Sequence, residues 1–173
     1  MNLTYNKAPK TVTNNKAPKT VTDALIDKVC QKTEYPPICR QILVKFKYSP
    51  VVPTTLSSII VLAKNHAQIT KGKISSLHKG IKENVSELRL RYHKCIKNYE
   101  HALTQLNAAS EGSFRIKLNI ASIKKHILTA ISDVQSCTTE LAKQRNEISG
   151  LTSENRRFQN IGSVILGICD EIS

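Results

Sequence analysis

From Thr54 to Ser173 the chain runs 120 residues without a proline, and apolar side chains recur through that stretch at spacings of three and four. Proline inside a helix removes a backbone hydrogen bond and clashes with the turn before it, so this pattern is the signature of long amphipathic helices. Leu56, Ile59, Ile60, Ala63, Ala67, Thr70, Ile74, Leu77 and Ile81 form a first stripe, interrupted only by Gly72 and Gly80. A second runs Val85, Leu88, Tyr92, Cys95, Tyr99, Ala102 or Leu103, Leu106 and Ala109, and Ser110-Glu-Gly-Ser113 closes it with turn chemistry. A third runs from Ile116 through Ile120, Ile123, Ile127, Ala130 or Ile131, Val134 and Cys137 to Leu141, closing near Gly150. The last runs Leu151, Asn155, Phe158, Ile161 or Gly162, Ile165, Ile168 or Cys169 and Ile172, with Thr152 or Ser153 as N-cap. Four such stripes joined by short breaks predict an all-α protein, an antiparallel four-helix bundle.

Ahead of the bundle, Leu25, Ile26 and Val29 lead into Cys30, then Pro36-Pro37, Cys39, Ile42, Leu43 and Phe46. The proline pair demands a turn, so the two cysteines bracket a small N-terminal helical hairpin, and Pro50 and Pro53 separate it from the bundle. Residues 1–22 have a different character. They hold a tandem duplicate, Asn6 to Thr13 and Asn15 to Thr22, with four Lys, two Pro and no acid. Such a tract buries too little apolar surface to offset its ordering entropy, which predicts a disordered basic arm before a single domain at 23–173. The formal charge of +13 falls to +9 without the arm, so the basic character belongs mainly to the folded part.

The cysteines bear on compartment. Cys95 and Cys137 occupy the apolar phase of successive helices and could face each other in an antiparallel pair, although the turn at 110–113 lies closer to the first and fixes register only approximately. Two free buried thiols would satisfy the same pattern. A bridge between them would close a loop of about 43 residues and stabilise by roughly 4 kcal/mol, a device suited to an oxidising compartment. Metal ligation is disfavoured, because neither Cys-x-x-Cys nor a paired His accompanies them. Asn2-Leu-Thr4 and Asn84-Val-Ser86 are glycosylation sequons and lean the same way. No apolar run reaches the roughly 18 residues a membrane span needs, and the start lacks a charged segment followed by an apolar one. The expectation is a cytosolic chain or a mature secreted one, and the cysteines favour secretion.

The run Leu25-Ile26-Asp-Lys-Val-Cys30-Gln-Lys-Thr33-Glu-Tyr35-Pro36-Pro-Ile-Cys39-Arg-Gln-Ile-Leu43 resembles the N-terminal signature of the plant invertase and pectin methylesterase inhibitor family. Cys95-Ile-Lys-Asn-Tyr99-Glu-His-Ala102 through Leu106 to Ala109 is similar to that family's Cys, Tyr, Ala and Leu stripe. Ile127-Leu-Thr-Ala130-Ile-Ser132-Asp133-Val-Gln-Ser-Cys137 resembles its small-residue helix ending in the last paired Cys. The matches keep order and spacing over about residues 25–173. The resemblance implies a disulfide-linked bundle with Cys30 joined to Cys39 and Cys95 to Cys137, a choice that spacing alone does not make among three connectivities. It leaves Cys169 as the odd thiol. It also implies secretion to the plant cell wall, the apoplast, or to the vacuole, and inhibition by plugging the substrate cleft of a target enzyme, with no catalytic residues and no cofactor.

Where that family's invertase-inhibiting branch carries Pro-Lys-Phe, this chain has Ser110-Glu-Gly-Ser-Phe114-Arg115, which disfavours acid invertase and favours pectin methylesterase as target. His126 stands near the family's usual Trp, and the last helix reads Gly162-Ser-Val-Ile-Leu-Gly167-Ile rather than small and Leu-rich. An enzyme needs convergent titratable groups, whereas His66, His78, His93, His101 and His126 are scattered and the acids mostly sit beside Lys or Arg, as solvated helix surface at Lys82-Glu83 and Glu154-Asn-Arg156. The predicted target contacts lie on the exposed faces of the second and third long helices: His101, Thr104, Gln105 and Ala108, then Asn119, Ser122, Thr129 and Asp133. Lys71, Lys73, Lys79, Lys82, Arg89, Arg91, Lys94 and Lys97 crowd two helices and Lys124-Lys125 a third, a surface that attracts anionic pectin. The alternatives to the esterase inhibitor are therefore an inhibitor of acid invertase and a non-inhibitory basic bundle that binds pectin. Nucleic acid is disfavoured as partner, for want of a recognition helix, an aromatic platform or finger spacing.

Overall fold

A computed structural model describes residues 16–115, 118–144 and 149–173, and six α-helices carry nearly all of the regular structure among them. Helices α1 (Asp23–Cys30) and α2 (Pro36–Leu43) form the hairpin. Helices α3 (Leu56–Gly80), α4 (Ser86–Ser113), α5 (Ile120–Ala142) and α6 (Leu151–Ile172) form the bundle. Each long helix packs on its sequence neighbours and α6 closes back on α3, while the hairpin lies on α6. Ser57 near the start of α3 meets Ser113 at the end of α4, and Asn155 near the start of α6 meets Thr138 late in α5, so the helices alternate up and down.

The local chemistry explains the boundaries. Thr22 caps α1 by accepting from the Leu25 N–H, and Pro36 and Pro37 occupy the first positions of α2, where a missing donor costs nothing. Gly72 leaves α3 unbroken. The Ser110–Ser113 segment, expected to be the turn after the second stripe, is instead the last turn of α4. Ser113 is buried, donates to the Ser110 carbonyl and accepts from Ser57, so tertiary partners extend the helix through it. This extension resolves the uneven spacing about the turn. Cys95 lies 18 residues before the end of α4 and Cys137 lies 17 after the start of α5, so the two arms match. Helix α6 also begins earlier than Thr152 or Ser153. Gly150, at φ +71°, is its N-cap, a left-handed conformation glycine adopts without a Cβ penalty.

The arm expected to be disordered through residue 22 packs on the domain at its described end. The Val21 side chain is fully buried, and the 19–21 backbone exchanges hydrogen bonds with residues 48–51. Residues 19–21 of the second copy therefore close the end of the domain, and their tertiary pairing supplies what the composition lacks. The first copy falls within residues 1–15 and lies outside the described residues.

One contiguous core unites hairpin and bundle, from Val29 and Leu43 through Ile59, Ile74, Tyr99, Leu106, Ile127 and Val134 to Phe158 and Ile165. Two glycines set how closely α6 is approached. A Cβ on Gly162 would stand 2.7 Å from the Ile131 side chain, and one on Gly167 2.7 Å from Val29 Cγ1, so Gly167 is what lets α1 lie against α6. A polar chain crosses this core: the Tyr99 hydroxyl donates to Asn155 Oδ1 at 2.7 Å, and the Asn155 amide donates to Thr138 at 3.0 Å. Burial pushes the Tyr99 phenol well above its ordinary range.

Candidate functional site

Helices α4 and α5 share the longest interface of the bundle, and a disulfide between Cys95 and Cys137 clamps them with Cα atoms 4.6 Å apart. A second disulfide joins Cys30 to Cys39 across the hairpin, Cα to Cα 5.4 Å. Cys169 is a buried free thiol whose pKa burial pushes up to about 12, so it stays protonated and packs as a small apolar group.

From the Cys95–Cys137 clamp, two polar rungs continue towards the far end of the helix pair. His101 Nδ1 lies 2.7 Å from Asp133 Oδ2, and His126 Nδ1 lies 2.7 Å from Gln105 Oε1. Position numbers rise along α4 as they fall along α5, as antiparallel packing at one constant register requires. His101, Thr104, Gln105 and Ala108 are spaced as one stripe of α4, and Ser122, Thr129 and Asp133 as one stripe of α5. His101 and Thr104 are exposed; Gln105, Ala108, Ser122, Thr129 and Asp133 are half-buried. Thr104 and Thr129 donate to the carbonyls of Glu100 and Lys125 on their own helices. Asn119 caps α5 by accepting from the Ser122 N–H at 3.0 Å. Of the eight predicted contacts, the structure joins His101 directly to Asp133, ties Gln105 in through His126, and sets Asn119 at the end of the stripe.

Two exposed apolar groups flank this region, of which Leu128 escaped the sequence reading while Phe114 entered it only as part of the 110–115 segment. Leu128 is 53 % exposed on α5, and Phe114, just past the end of α4, is 66 % exposed. Leu128 falls out of phase with its neighbours Ile127 and Ala130, and that break was the one available signal.

The basic surface is less free than its charge implies. Lys71 and Lys97 pair with Glu100, Lys94 with Glu140, Lys73 with Glu154, Arg91 with Glu87 and Lys124 with Asp170. The lysines hold the carboxyls of Glu100, Glu140 and Glu154 below the usual range, with Lys97, Lys143 and Lys73 as the respective main causes. Glu154, expected to be solvated surface, is drawn half inward between Lys73 and His66, whose Nε2 also reaches the Glu154 carbonyl at 2.9 Å. Lys82 and Glu83 sit in the loop after α3 and not on a helix. Lys79, Lys82, Arg89 and Lys125 have no carboxylate partner among the described residues. Asn84 is exposed in the same loop, and Asn2 lies outside the described residues.

No group of three or more His, Cys, Asp or Glu side chains among the described residues is placed to hold a metal ion. None of the described helices is long and apolar enough to cross a membrane.

A disulfide-tied helical bundle with a docked N-terminal hairpin is the class these features define. Its sequence matches the family model of plant invertase/pectin methylesterase inhibitors over residues 24–168, and the chain belongs to that family. Members of the family inhibit carbohydrate-active enzymes of the plant cell wall and are not themselves enzymes, so the partner this membership implies is a pectin methylesterase or an invertase. Two solved structures share the fold. One is a mutant form of a pectin methylesterase inhibitor from Arabidopsis, with TM-score 0.72 and 18 % identity over 86 % of this chain and 97 % of that one. The other is a pectin methylesterase inhibitor from Arabidopsis thaliana, with TM-score 0.64 and 19 % identity over 87 % and 97 %. No curated protein sequence matches the chain.

Proposed function

We propose that this protein inhibits a pectin methylesterase by laying the exposed α4–α5 face in the enzyme's substrate cleft as a one-to-one complex. The observation that carries the reading is the pair of rungs His101–Asp133 and Gln105–His126 on helices locked by Cys95–Cys137. A face whose side chains are already aligned loses little freedom on docking, so a modest set of polar contacts yields useful affinity. Two solved structures with this fold are pectin methylesterase inhibitors, which supports the esterase as target. The absence of Pro-Lys before Phe114 argues against invertase. Two disulfides and an exposed sequon at Asn84 support secretion to the cell wall as a glycoprotein.

Separate titrations of a purified pectin methylesterase and an acid invertase provide the test. The expected result is stoichiometric loss of esterase activity with invertase unaffected; esterase activity unchanged at micromolar excess would overturn the proposal.

A second role is supported by Lys79, Lys82, Arg89 and Lys125, whose charges no described carboxylate neutralises. We infer that they retain the protein on anionic pectin, with binding that weakens steeply as salt rises. Elution from a pectin column at the ionic strength of a neutral control would remove that role.

A further inference from the structure

On the side of the bundle away from the α4–α5 face, a cavity of about 310 Å³ opens between α2 of the hairpin and helices α3 and α6. Asn160 lines it. That residue is only 7 % exposed, yet its side-chain amide makes no hydrogen bond to any described residue. The amide therefore meets solvent at the cavity wall, where its donor and acceptor are free to bind a ligand's polar group. Arg156, Arg157 and Lys45 line the same cavity, and none of them has an ion pair with a described carboxylate. Glu154, the acid of α6 closest to them in sequence, is held mainly by Lys73, with His66 and Arg157 adding a weaker pull.

The remaining walls are aliphatic: Ile38, Ile42, Leu62 and Ile161. Past Ile42 and Leu62 the surface runs on into a second recess of about 260 Å³, where Phe46 and Val61 join the lining. One end therefore offers two guanidinium forks and a free amide, and the other offers apolar wall. Guanidinium matches a carboxylate in a two-point bond. Inorganic phosphate would leave the apolar walls unused. An oligouronide would press hydroxyls against isoleucine and leucine and lose their hydrogen bonds to water.

We propose that this cleft binds a small amphiphilic carboxylate, its head on Arg156, Arg157 and Asn160 and its apolar body along Ile42 and Leu62 towards Phe46. The site is independent of the inhibitory face and leaves it uncovered.

The test is titration of the full chain with 2-naphthoate by calorimetry, beside 2-naphthalenemethanol, inorganic phosphate and trigalacturonate. Saturable one-site binding of the naphthoate with a Kd below about 1 mM is expected, with the other three at least tenfold weaker. Replacing Arg156→Gln and Arg157→Gln together should weaken binding at least tenfold while the melting temperature of the free protein stays put, because both side chains are exposed. Asn160→Leu should also weaken binding yet leave the free protein as stable or more so, an outcome that a purely structural amide would not give. Absence of saturation at millimolar naphthoate, equal binding of the alcohol, tighter binding of phosphate or trigalacturonate, or unchanged affinity in the Arg variant would each overturn the proposal.

Discussion

The hairpin and the α4–α5 pair are each closed by one disulfide, and the two bridges do different work. Cys30 and Cys39 are 9 residues apart, so their bond fixes a local shape and leaves the docking of that shape to other forces. Docking comes from Val29 seated over Gly167 and from Glu171, which reaches Lys28 and Lys32 of the hairpin at 2.6 and 3.0 Å. Cys95 and Cys137 are 42 residues apart and on different long helices, so their bond sets the register of the pair. Register decides which surface side chains meet. A short staple thus shapes an element, while a long one aligns a face.

The comparison is most strained by removing each bridge in turn. In the chain-entropy model, Cys95→Ser with Cys137→Ser should cost about 4 kcal/mol and Cys30→Ser with Cys39→Ser about 3. Both are read by denaturant unfolding, and only the first should degrade inhibition out of proportion to stability. Next in size is Tyr99→Phe. It leaves Asn155 Oδ1 without its buried donor and should cost about 1–3 kcal/mol in the same measurement. The phenol pKa is raised in the folded state, so its contribution is complete below the unfolded value near 10 and is lost as pH rises beyond it. Tyr99→Phe should accordingly flatten the alkaline limb of a stability–pH curve.

The smallest effect belongs to the hairpin. Lys28, then Lys32, hold the Glu171 carboxyl below its usual range, so its contribution is present above the unfolded carboxylate value and fades as pH falls through the folded one. The lysines are half exposed, which limits Glu171→Gln to at most about 1 kcal/mol. That variant should reduce the acid-side dependence in thermal melts by the share Glu171 adds to that of Glu100, Glu140 and Glu154, while Tyr99→Phe leaves it whole.

The four stripes were legible because helical period and core burial are one fact seen twice: Ile59, Tyr99, Ile127 and Phe158 appear in both. Helix ends were less legible where tertiary partners set them. Ser113 reads as turn until Ser57 is brought beside it, and Val21 reads as part of a disordered arm until residues 48–51 lie alongside. The eight candidate residues read as exposed phase, yet five of them are half-buried, and their pairings were not legible at all. His101–Asp133 and Gln105–His126 are 32 and 21 residues apart, and only a settled register joins them. Glu154 misled for the same reason, since its partners Lys73 and His66 lie on another helix.

The claim that matters most is that the aligned α4–α5 face is what occupies the target enzyme. Its direct test compares wild-type protein with the His101→Ala and Asp133→Ala double variant in inhibition of one pectin methylesterase, after their melting temperatures have been matched. We predict that wild type titrates the enzyme stoichiometrically and that the variant needs at least tenfold more protein for half inhibition, a loss of about 1.4 kcal/mol. Equal inhibition by both proteins would contradict the account.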